Sequence, residues 1–329
     1  MNSFPAAMIL AAGRGERMRP LSREIAKPAL PVLGRSLLGR ILFGLATEGV
    51  RCFAVNAFHA ASSIRAALDA ELPPGCRAEL FVEDTLMDTG GALARPAPLL
   101  AQQAEYFVLH NGDTLVDFPL RALLDAATAS RRLGALLVSP RATAGYRPIG
   151  LRNGLFTGLA TRPGDEAATY LGAAVFRREL LERVPADRPS SLFADLVLPQ
   201  LAKGWELAAL PYEGPWLEFT SPGAYLERVL AMLDRQGGLY LGDGAQVAPS
   251  ATLRGGVAVE ATAKILAGSQ LEDTVLMRGA IVAEGCRVER AILAPGSRLE
   301  PGGRLREAVL IKDADGGMIT SPIERSSLR

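Results

Sequence analysis

The repeating pattern near the C-terminus constrains the fold of this chain most strongly. Apolar residues first recur at every sixth position, and three longer similar segments then start at positions 271, 288 and 305. The first series is Val247, Leu253, Val259, Ile265 and Leu271, and the later segments are Leu271-Glu-Asp-Thr-Val-Leu, Val288-Glu-Arg-Ala-Ile-Leu and Leu305-Arg-Glu-Ala-Val-Leu. A hexapeptide repeat is typical of a parallel β-helix, in which each coil buries its apolar residues against the neighbouring coils. Because the later spacing is one position short of three hexapeptides, we expect a tightened corner in each later coil.

Short apolar segments alternate with longer amphipathic ones over the first two-thirds of the chain. The predicted strands are Ala7–Ala12, Cys52–Val55, Ala78–Val82, Tyr106–Leu109 and Ala135–Val138, and the predicted helices are Ser36–Glu48, Ser62–Glu71, Gly90–Leu100 and Pro119–Ala129. This alternation indicates an α/β fold with a doubly wound, mostly parallel sheet covered on both faces. Ligands of such sheets bind beyond the carboxyl ends of the strands, so the loops at Gly13, Gly90 and Asp113 are the candidate binding loops.

The change of pattern predicts four segments. Residues 1–232 form the α/β domain, residues 233–245 a linker, residues 246–311 the β-helix and residues 312–329 a tail. A predicted helix, Tyr225–Leu233, ends where the sequence becomes Asp-Arg-Gln-Gly-Gly. The tail shows no periodicity, and disorder is one expectation for it.

Composition excludes several classes of protein. The chain has 36 basic and 35 acidic residues, a net charge of +1, and no dense basic segment. This balance predicts neither a nucleic-acid partner nor an anionic membrane surface. The three cysteines lie far apart, with no spacing typical of disulfide frameworks or zinc sites. The N-terminus resembles no signal peptide, and no apolar run is long enough to span a membrane, so we expect a cytoplasmic protein.

A glycine turn follows the first predicted strand. The segment reads Leu10-Ala-Ala-Gly-Arg-Gly-Glu-Arg-Met-Arg-Pro-Leu21, with Lys27-Pro28 after it. Glycines let backbone N–H groups approach phosphate oxygens, but Met18 stands where a dinucleotide-binding fingerprint has its third glycine. Two cations beyond the turn, Arg17 and Lys27, suit a triphosphate whose charge must be neutralised as it is broken.

This segment resembles the sugar-1-phosphate nucleotidyltransferases, and the resemblance extends from about Ala7 to Leu233. Further matching segments are Thr85-Leu-Met-Asp-Thr-Gly-Gly-Ala-Leu93, His110-Asn-Gly-Asp113, Tyr170-Leu-Gly-Ala-Ala-Val-Phe176 and Trp216-Leu-Glu-Phe-Thr-Ser-Pro222. The resemblance implies transfer of a nucleoside monophosphate from an NTP to a sugar 1-phosphate, with release of pyrophosphate. It further implies that the repeats form a left-handed β-helix, as in members similar to mannose-1-phosphate guanylyltransferase.

The resemblance assigns roles to individual residues. It implies Arg17, Lys27 and Asp113 as catalytic residues, and a Mg²⁺ cofactor held by Asp113 and Glu218. The implied nucleotide-binding residues are Ala11, Ala12, Gly13, Arg14, Gly15, Thr89, Gly90 and Gly91, and the implied sugar-phosphate-binding residues are Asn111, Gly150, Arg162 and Gly172. Position alone also favours Asp113 as a metal ligand, because it follows an apolar strand at the mouth of the predicted sheet.

The chain departs from the family pattern at three places. Glu218 replaces an aspartate, and Thr220 and Ser221 replace the glycine and threonine that follow it. Thr161-Arg162-Pro163 replaces Glu-Lys-Pro, so a cation that can bind phosphate is kept while an acceptor for sugar hydroxyls is lost.

These departures leave alternatives open. One is a catalytically silent sugar-nucleotide-binding regulatory subunit. A second alternative does not depend on these departures: it is a bifunctional enzyme whose β-helix transfers acyl groups, and it is disfavoured because no histidine follows His110. The sequence weakly favours mannose or heptose 1-phosphate with GTP, and then N-acetylmuramate 1-phosphate with UTP. Because the open end of a coil exposes strand edges and apolar surface, we expect the β-helix either to pack on the catalytic domain or to build a homo-oligomer.

Overall fold

The computed structural model describes residues 4–102, 104–128, 132–160, 163–313 and 315–324. In chain order the strands are β1 Ala7–Leu10, β2 Pro31–Val32, β3 Arg35–Ser36, β4 Cys52–Ala57, β5 Arg77–Val82, β6 Tyr106–Asn111, β7 Thr114–Val116, β8 Arg132–Ser139, β9 Ile149–Arg152, β10 Leu155–Leu159, β11 Glu166–Arg177, β12 Glu206–Pro211, β13 Trp216–Glu218, β14 Leu239–Leu241, β15 Gln246–Val247, β16 Thr252–Val259, β17 Lys264–Ile265, β18 Gln270–Leu276, β19 Ile281–Val282, β20 Arg287–Leu293, β21 Arg298–Leu299, β22 Arg304–Arg306, β23 Ala308–Lys312 and β24 Met318–Pro322. The helices are α1 Leu37–Thr47, α2 Ala61–Glu71, α3 Asp88–Gly91, α4 Ala97–Ala101, α5 Leu120–Ala127, α6 Leu198–Leu201 and α7 Pro222–Asp234, with 3-10 turns at Glu16–Met18, Lys27–Ala29 and Arg178–Arg183 and a π turn at Leu192–Val197.

The chain divides into two compact units. The first comprises Met1–Arg14 and Leu37–Leu217, and the second comprises Gly15–Ser36 and Glu218–Arg329. The sequence predicts a linker at residues 233–245 as the boundary between domains. In the structure, the second unit begins earlier, at Glu218, and so includes α7, and it also includes the early segment Gly15–Ser36. Among the described residues, no helix combines the length and the apolar character needed to cross a membrane.

The first unit is built on one sheet, which among the described residues has nine strands in the order β5-β4-β1-β6-β11-β8-β12-β10-β9. Strands β5, β4, β1 and β6 are parallel to one another, and β8 is parallel to β12. Strand β11 is antiparallel to both β6 and β8, and β10 is antiparallel to β12 and β9. The prediction of a mostly parallel sheet is therefore correct for β5, β4, β1 and β6 and for the β8–β12 pair, whereas the other pairings are antiparallel.

Two local signals explain where the predicted elements differ from the observed ones. Asn153-Gly154 joins β9 and β10 with a positive φ at both residues, a turn that makes an antiparallel hairpin. The predicted helix Gly90–Leu100 is two short helices, α3 and α4. Pro96 lies between them, lacks an N–H and disfavours a helical conformation of the preceding residue. The predicted end of α5 at Ala129 lies outside the described residues.

The second unit contains two parallel ladders that stack at fixed steps along the chain. In one ladder β14, β16, β18, β20 and β23 follow one another, and in the other β15, β17, β19 and β21 do. Leu253 of β16 pairs with Leu271 of β18, and Leu271 pairs in turn with Val288 of β20, so the second step is one position shorter than the first. The apolar residues that share these registers are buried against each other. The ladders therefore repeat at the steps read from the sequence.

A corner in each later repeat of the ladders accounts for the shorter step. Gly255 and Gly256 occupy the corner of β16, and the register shift there leaves a single residue, Asp273, at the corresponding place in β18. Asp273, Arg290 and Glu307 recur at the shorter step, and all three have positive φ. In the predicted tail, β24 pairs antiparallel with β23, while residues 314 and 325–329 lie outside the described part.

Candidate active site

The turns after β1 and β6 lie at one edge of the first unit's sheet. The two strands are parallel neighbours, with Leu10 opposite Asn111, and the N–H of Gly112 donates to the Leu10 carbonyl at 2.9 Å. Residues 11–14 and Asp113 therefore leave the carboxyl ends of adjacent strands, which is where α/β sheets bind ligands. Ala11 and Ala12 are buried, whereas Gly13 and Arg14 are exposed.

A buried polar network fixes the start of the first turn. The N–H of Ala11 donates to Asn56 Oδ1 at 2.7 Å, and Asn56 Nδ2 donates to Glu83 Oε1 at 2.7 Å. The second oxygen of Glu83 accepts from the N–H of Met87 at 3.1 Å. The network joins the turn after β1 to the segment before Thr89. Asn56 and Glu83 were not predicted from the sequence, although polar residues at the ends of two apolar strands were the available signal.

The Thr89–Gly91 segment packs against a second part of the chain. The N–H groups of Gly90 and Gly91 both donate to the Ser190 carbonyl, at 2.8 and 3.0 Å. Thr89 Oγ1 accepts from the N–H of Leu192 at 3.1 Å. A Cβ on Gly90 would lie 2.8 Å from the Ser190 carbonyl oxygen, so this close approach requires glycine. The sequence alone does not reveal Ser190 as its packing partner.

The structure brings together Asn111 and Gly172, two of the predicted sugar-phosphate residues. Gly172 has a φ of +75° in β11, where the pairing with β8 shifts register between Tyr170 and Ala174. A Cβ at Gly172 would lie 2.7 Å from Asn111 Nδ2. Because Asn111 immediately precedes the Gly112-Asp113 turn, the bulge in β11 faces the site through this contact. Asp113 is half-buried, and Thr114 Oγ1 donates to its Oδ1 at 3.3 Å.

His110 is buried directly behind this turn. Its Nδ1–H donates to the Asn111 carbonyl at 2.7 Å, and its ring lies 5.9 Å from that of Phe118. Burial lowers the pKa of His110 to about 4, against weaker opposing effects of the Asn111 hydrogen bond and the Asp113 charge. His110 is therefore neutral at physiological pH and supports the turn from behind.

Gly150 lies in a separate polar cluster on β9 and β10. A Cβ at Gly150 would lie 2.7 Å from both Thr157 Oγ1 and Asp165 Oδ2. Asp165 accepts from Thr157 at 2.6 Å and from Arg152 at 2.8 Å. Arg162, predicted to contact the sugar phosphate, lies outside the described residues together with Thr161.

The segment that follows Arg14, Gly15–Ser36, belongs to the second unit. Ser22 Oγ donates to the Gly15 carbonyl at 2.6 Å and closes the turn that begins there. Arg17 is exposed on a 3-10 turn whose Met18 is buried, and Lys27 is half-buried at the start of the next 3-10 turn. Both cations therefore lie on short turns anchored by apolar neighbours.

Glu218, the predicted second metal ligand, ends β13 and is half-buried. Trp216 begins this strand in the first unit, where its ring lies 5.0 Å from that of Tyr146. Strand β13 pairs with β7, which starts immediately after Asp113. Across the described ranges, no cluster of three or more His, Cys, Asp or Glu side chains could hold a metal by itself.

Comparison with known proteins identifies the family. The Nucleotidyl transferase family profile matches residues 6–148. An N-acetylmuramate alpha-1-phosphate uridylyltransferase of Neisseria meningitidis serogroup B is 30% identical over 220 residues, which cover 64% of this chain and 91% of that protein. The chain belongs to the nucleotidyl transferase family. The prediction of a sugar-1-phosphate nucleotidyltransferase, and with it of an enzyme, is confirmed at the level of the family.

Two further proteins match more of the chain or support its fold. A mannose-1-phosphate guanylyltransferase of Mycobacterium tuberculosis is 28% identical over 300 residues, covering 86% of this chain and 83% of that protein. The crystal structure of HddC from Yersinia pseudotuberculosis superposes with a TM-score of 0.58 at 19% identity, covering 70% of this chain and 100% of that one. The latter similarity supports the Rossmann-like fold of the nucleotidyl transferase domain.

Proposed function

We propose that this nucleotidyl transferase transfers a nucleoside monophosphate from an NTP to a sugar 1-phosphate, giving an NDP-sugar and pyrophosphate. The observation that carries the proposal is the placement of the glycine turn and Asp113 after adjacent parallel strands. Apart from the two chain neighbours of Gly13, no described residue comes within 4 Å of the position that a Cβ on Gly13 would take, so the turn faces open space. This arrangement supports binding of a polyphosphate against the turn, with a carboxylate beside it.

The reaction is a single in-line displacement. Backbone N–H groups of residues 12–15 bind the triphosphate, and a phosphate oxygen of the sugar 1-phosphate attacks the α-phosphorus. The bond from the α-phosphorus to the bridging oxygen breaks, and its electron pair leaves with pyrophosphate. Because a phosphate monoester is already a nucleophile, neither a general base nor a covalent intermediate is needed. Lys27 stabilises charge at the α-phosphate, and Arg17 stabilises the departing pyrophosphate.

Asp113 and Glu218 are the proposed ligands of Mg²⁺. Mg²⁺ is commonly held by one or two carboxylates plus substrate phosphates, so two carboxylates suffice without a larger cluster. When bound, the cation neutralises phosphate charge.

For the substrates, we propose GTP with mannose or heptose 1-phosphate first, and UTP with N-acetylmuramate 1-phosphate next. Two similarities support this order. The mannose-1-phosphate guanylyltransferase matches 86% of this chain, whereas the N-acetylmuramate alpha-1-phosphate uridylyltransferase matches 64%. Thr89, Gly90 and Gly91 bind the nucleobase in this proposal, and Asn111, Gly150, Arg162 and Gly172 bind the sugar phosphate.

The test is pyrophosphate release with Mg²⁺ across four nucleoside triphosphates and several sugar 1-phosphates. We expect one pair to dominate and Asp113→Asn to lower kcat by about 100-fold or more, because the substitution removes one charge without changing shape. Asp125→Asn is the matched control, since Asp125 is an exposed helix residue paired with Arg121. An Asp113→Asn variant that keeps most of its rate would refute the metal assignment.

A second candidate is a catalytically silent regulatory subunit that binds sugar nucleotides. The replacement of the family's aspartate by Glu218, one methylene longer, favours it. Calorimetric binding of an NDP-sugar without pyrophosphate release from any substrate pair would support this candidate over the transferase.

For the C-terminal repeats we propose a left-handed β-helix that assembles the enzyme into a homo-oligomer. Strand β14 is an edge strand, and its Leu239 and Leu241 are 44% and 53% exposed. Light scattering of the full chain should show an oligomer, and Leu241→Asp should dissociate it. An unchanged mass for that variant would exclude this face as the contact.

A further inference from the structure

A small hairpin follows Lys27 and belongs to the second unit. Strands β2 and β3 pair through a two-residue turn, Leu33-Gly34, in which φ is +48° and +83°. Positive φ at both turn residues is typical of the tight type I′ hairpin. The 3-10 turn that starts at Lys27 ends at Ala29, one residue before the hairpin, and the intervening Leu30 is fully buried. The position of Lys27 is therefore tied closely to that of the hairpin.

Glu260 binds the turn of this hairpin. It directly follows β16 in the C-terminal repeats of residues 246–311, called the repeat section below. It is only 4% exposed, and its two carboxylate oxygens accept from the N–H of Gly34 at 3.2 and 3.1 Å. A hydrogen bond between a backbone N–H and a buried carboxylate is among the stronger ones in proteins. The turn is also closely packed, because a Cβ on Gly34 would collide with the Tyr240 hydroxyl.

A tyrosine binds the other end of the hairpin. Tyr225 on α7 is completely buried, and its hydroxyl donates to the Pro31 carbonyl. Ser221 Oγ fixes the start of α7 by accepting from the N–H of Ala224 at 3.2 Å. The hairpin is therefore held at its turn by the repeat section and at its first strand by the preceding helix.

We propose that Glu260 is a positioning residue for the transferase reaction, acting through the Gly15–Ser36 segment that contains Arg17 and Lys27. On this proposal the repeat section contributes to catalysis as well as to assembly, because it fixes the position of the Gly15–Ser36 segment, which is proposed to bind the triphosphate. The inference rests on the proposed function for its kinetic consequence. Its structural part, that Glu260 orders this segment, stands independently.

The kinetic test compares Glu260→Gln and Glu260→Ala with Glu300→Gln in the full-length enzyme. Glu300 is in the same repeat section, has a 71% exposed side chain and is a matched control for the loss of one carboxylate. We expect kcat/KM for the NTP to fall by about tenfold in Glu260→Ala and by less in Glu260→Gln, which keeps one acceptor. The KM for the sugar 1-phosphate should stay within about twofold. An equal change in both substrates, or none, would overturn the positioning role.

A double-variant comparison tests the route through Lys27. If Glu260 acts by placing this cation, Glu260→Ala should have little further effect on kcat/KM in a Lys27→Ala background. Fully additive losses would show that Glu260 acts elsewhere.

Hydrogen–deuterium exchange provides a readout that does not need activity. In Glu260→Gln, peptides covering residues 27–36 should exchange faster than in wild type, and peptides of β18 and β20 should not change. Unchanged exchange at residues 27–36 would refute the inference. If wild type releases no pyrophosphate from any substrate pair, the proposed function fails, but the exchange result still decides whether Glu260 orders the segment.

Discussion

Replacing Asn56 by aspartate tests whether the buried network holds the turn after β1. The substitution changes no volume and leaves Oδ1 able to accept from the N–H of Ala11. It removes the amide donor, and with it the hydrogen bond to Glu83. A hydrogen bond to a charged group is worth about 1.5–3 kcal/mol. Two carboxylate oxygens would then face each other at the 2.7 Å now spanned by a hydrogen bond.

That contact sets both the size and the pH dependence of the effect. With an effective dielectric constant of 20, two charges at this separation repel by roughly 6 kcal/mol, but uptake of a proton relieves most of that. We therefore expect Asn56→Asp to lower the free energy of unfolding by about 3 kcal/mol at pH 7.5. The neighbouring charge raises the pKa of the introduced carboxyl in the folded state. Stability is therefore retained at low pH and lost as pH rises, so the deficit should be smaller at pH 5.5.

Urea unfolding at both pH values measures this effect, and a second substitution provides the control. In Asn56→Asp with Glu83→Gln, the amide of the new glutamine donates to the new carboxylate, and its oxygen accepts from the N–H of Met87. The reversed pair has every hydrogen bond of the original and the same net charge, so most of the stability and of kcat/KM for the NTP should return. A deficit independent of pH, or one that the second substitution does not reduce, would refute this account of the network.

Three further predictions concern the same region. Gly172→Ala should lower the free energy of unfolding by about 1–3 kcal/mol and raise the KM for the sugar 1-phosphate, because the new Cβ sits at a φ of +75° and clashes with Asn111. Gly204→Ala is the control. Gly204 also has a positive φ, +88°, but its Cβ would meet nothing within 4 Å, so this variant should leave that KM unchanged. Gly90→Ala should weaken NTP binding in calorimetry by separating Thr89–Gly91 from Ser190, while Gly44→Ala, whose Cβ meets nothing within 4 Å, should not. Since His110 is held neutral with a pKa of about 4, its contribution to stability should fall as pH drops from 6.5 toward 4, by roughly 3 kcal/mol in total. Urea unfolding of His110→Gln, which lacks this titration, should show a flatter profile over that range, and parallel profiles would contradict the assignment.

The sequence is most informative where local pattern determines structure. The apolar segments at β1, β4 and β6 and the repeats in the second unit are predictable because their periodicity reports which faces are buried. The antiparallel pairings of the sheet are harder to predict from the sequence, although Asn153-Gly154 is one hairpin signal that the sequence contains. The bulge at Gly172 leaves no comparable pattern in the sequence.

The contacts that organise the candidate site could not be predicted from the sequence. Asn56 and Glu83 are 27 residues apart, and each is an ordinary polar residue, one in β4 and the other directly after β5. The contact between Gly90 and Ser190 joins segments with no shared motif. Family motifs identify the residues near a ligand, whereas the residues that support them depend on tertiary packing. The roles proposed for Arg17, Lys27, Asp113 and Glu218 stay predictions until they are measured.

The hydrogen bond between Gly34 and Glu260 joins residues 226 apart in sequence, with most of the first unit between them. During synthesis, the hairpin emerges from the ribosome long before the residue that binds it. The first unit can collapse while the Gly15–Ser36 segment still lacks its final contacts. Because closing so long a loop is slow compared with forming local contacts, the loop that carries Arg17 and Lys27 should be among the last parts of the enzyme to mature. Catalytic competence would then arrive only after the C-terminal repeats are translated.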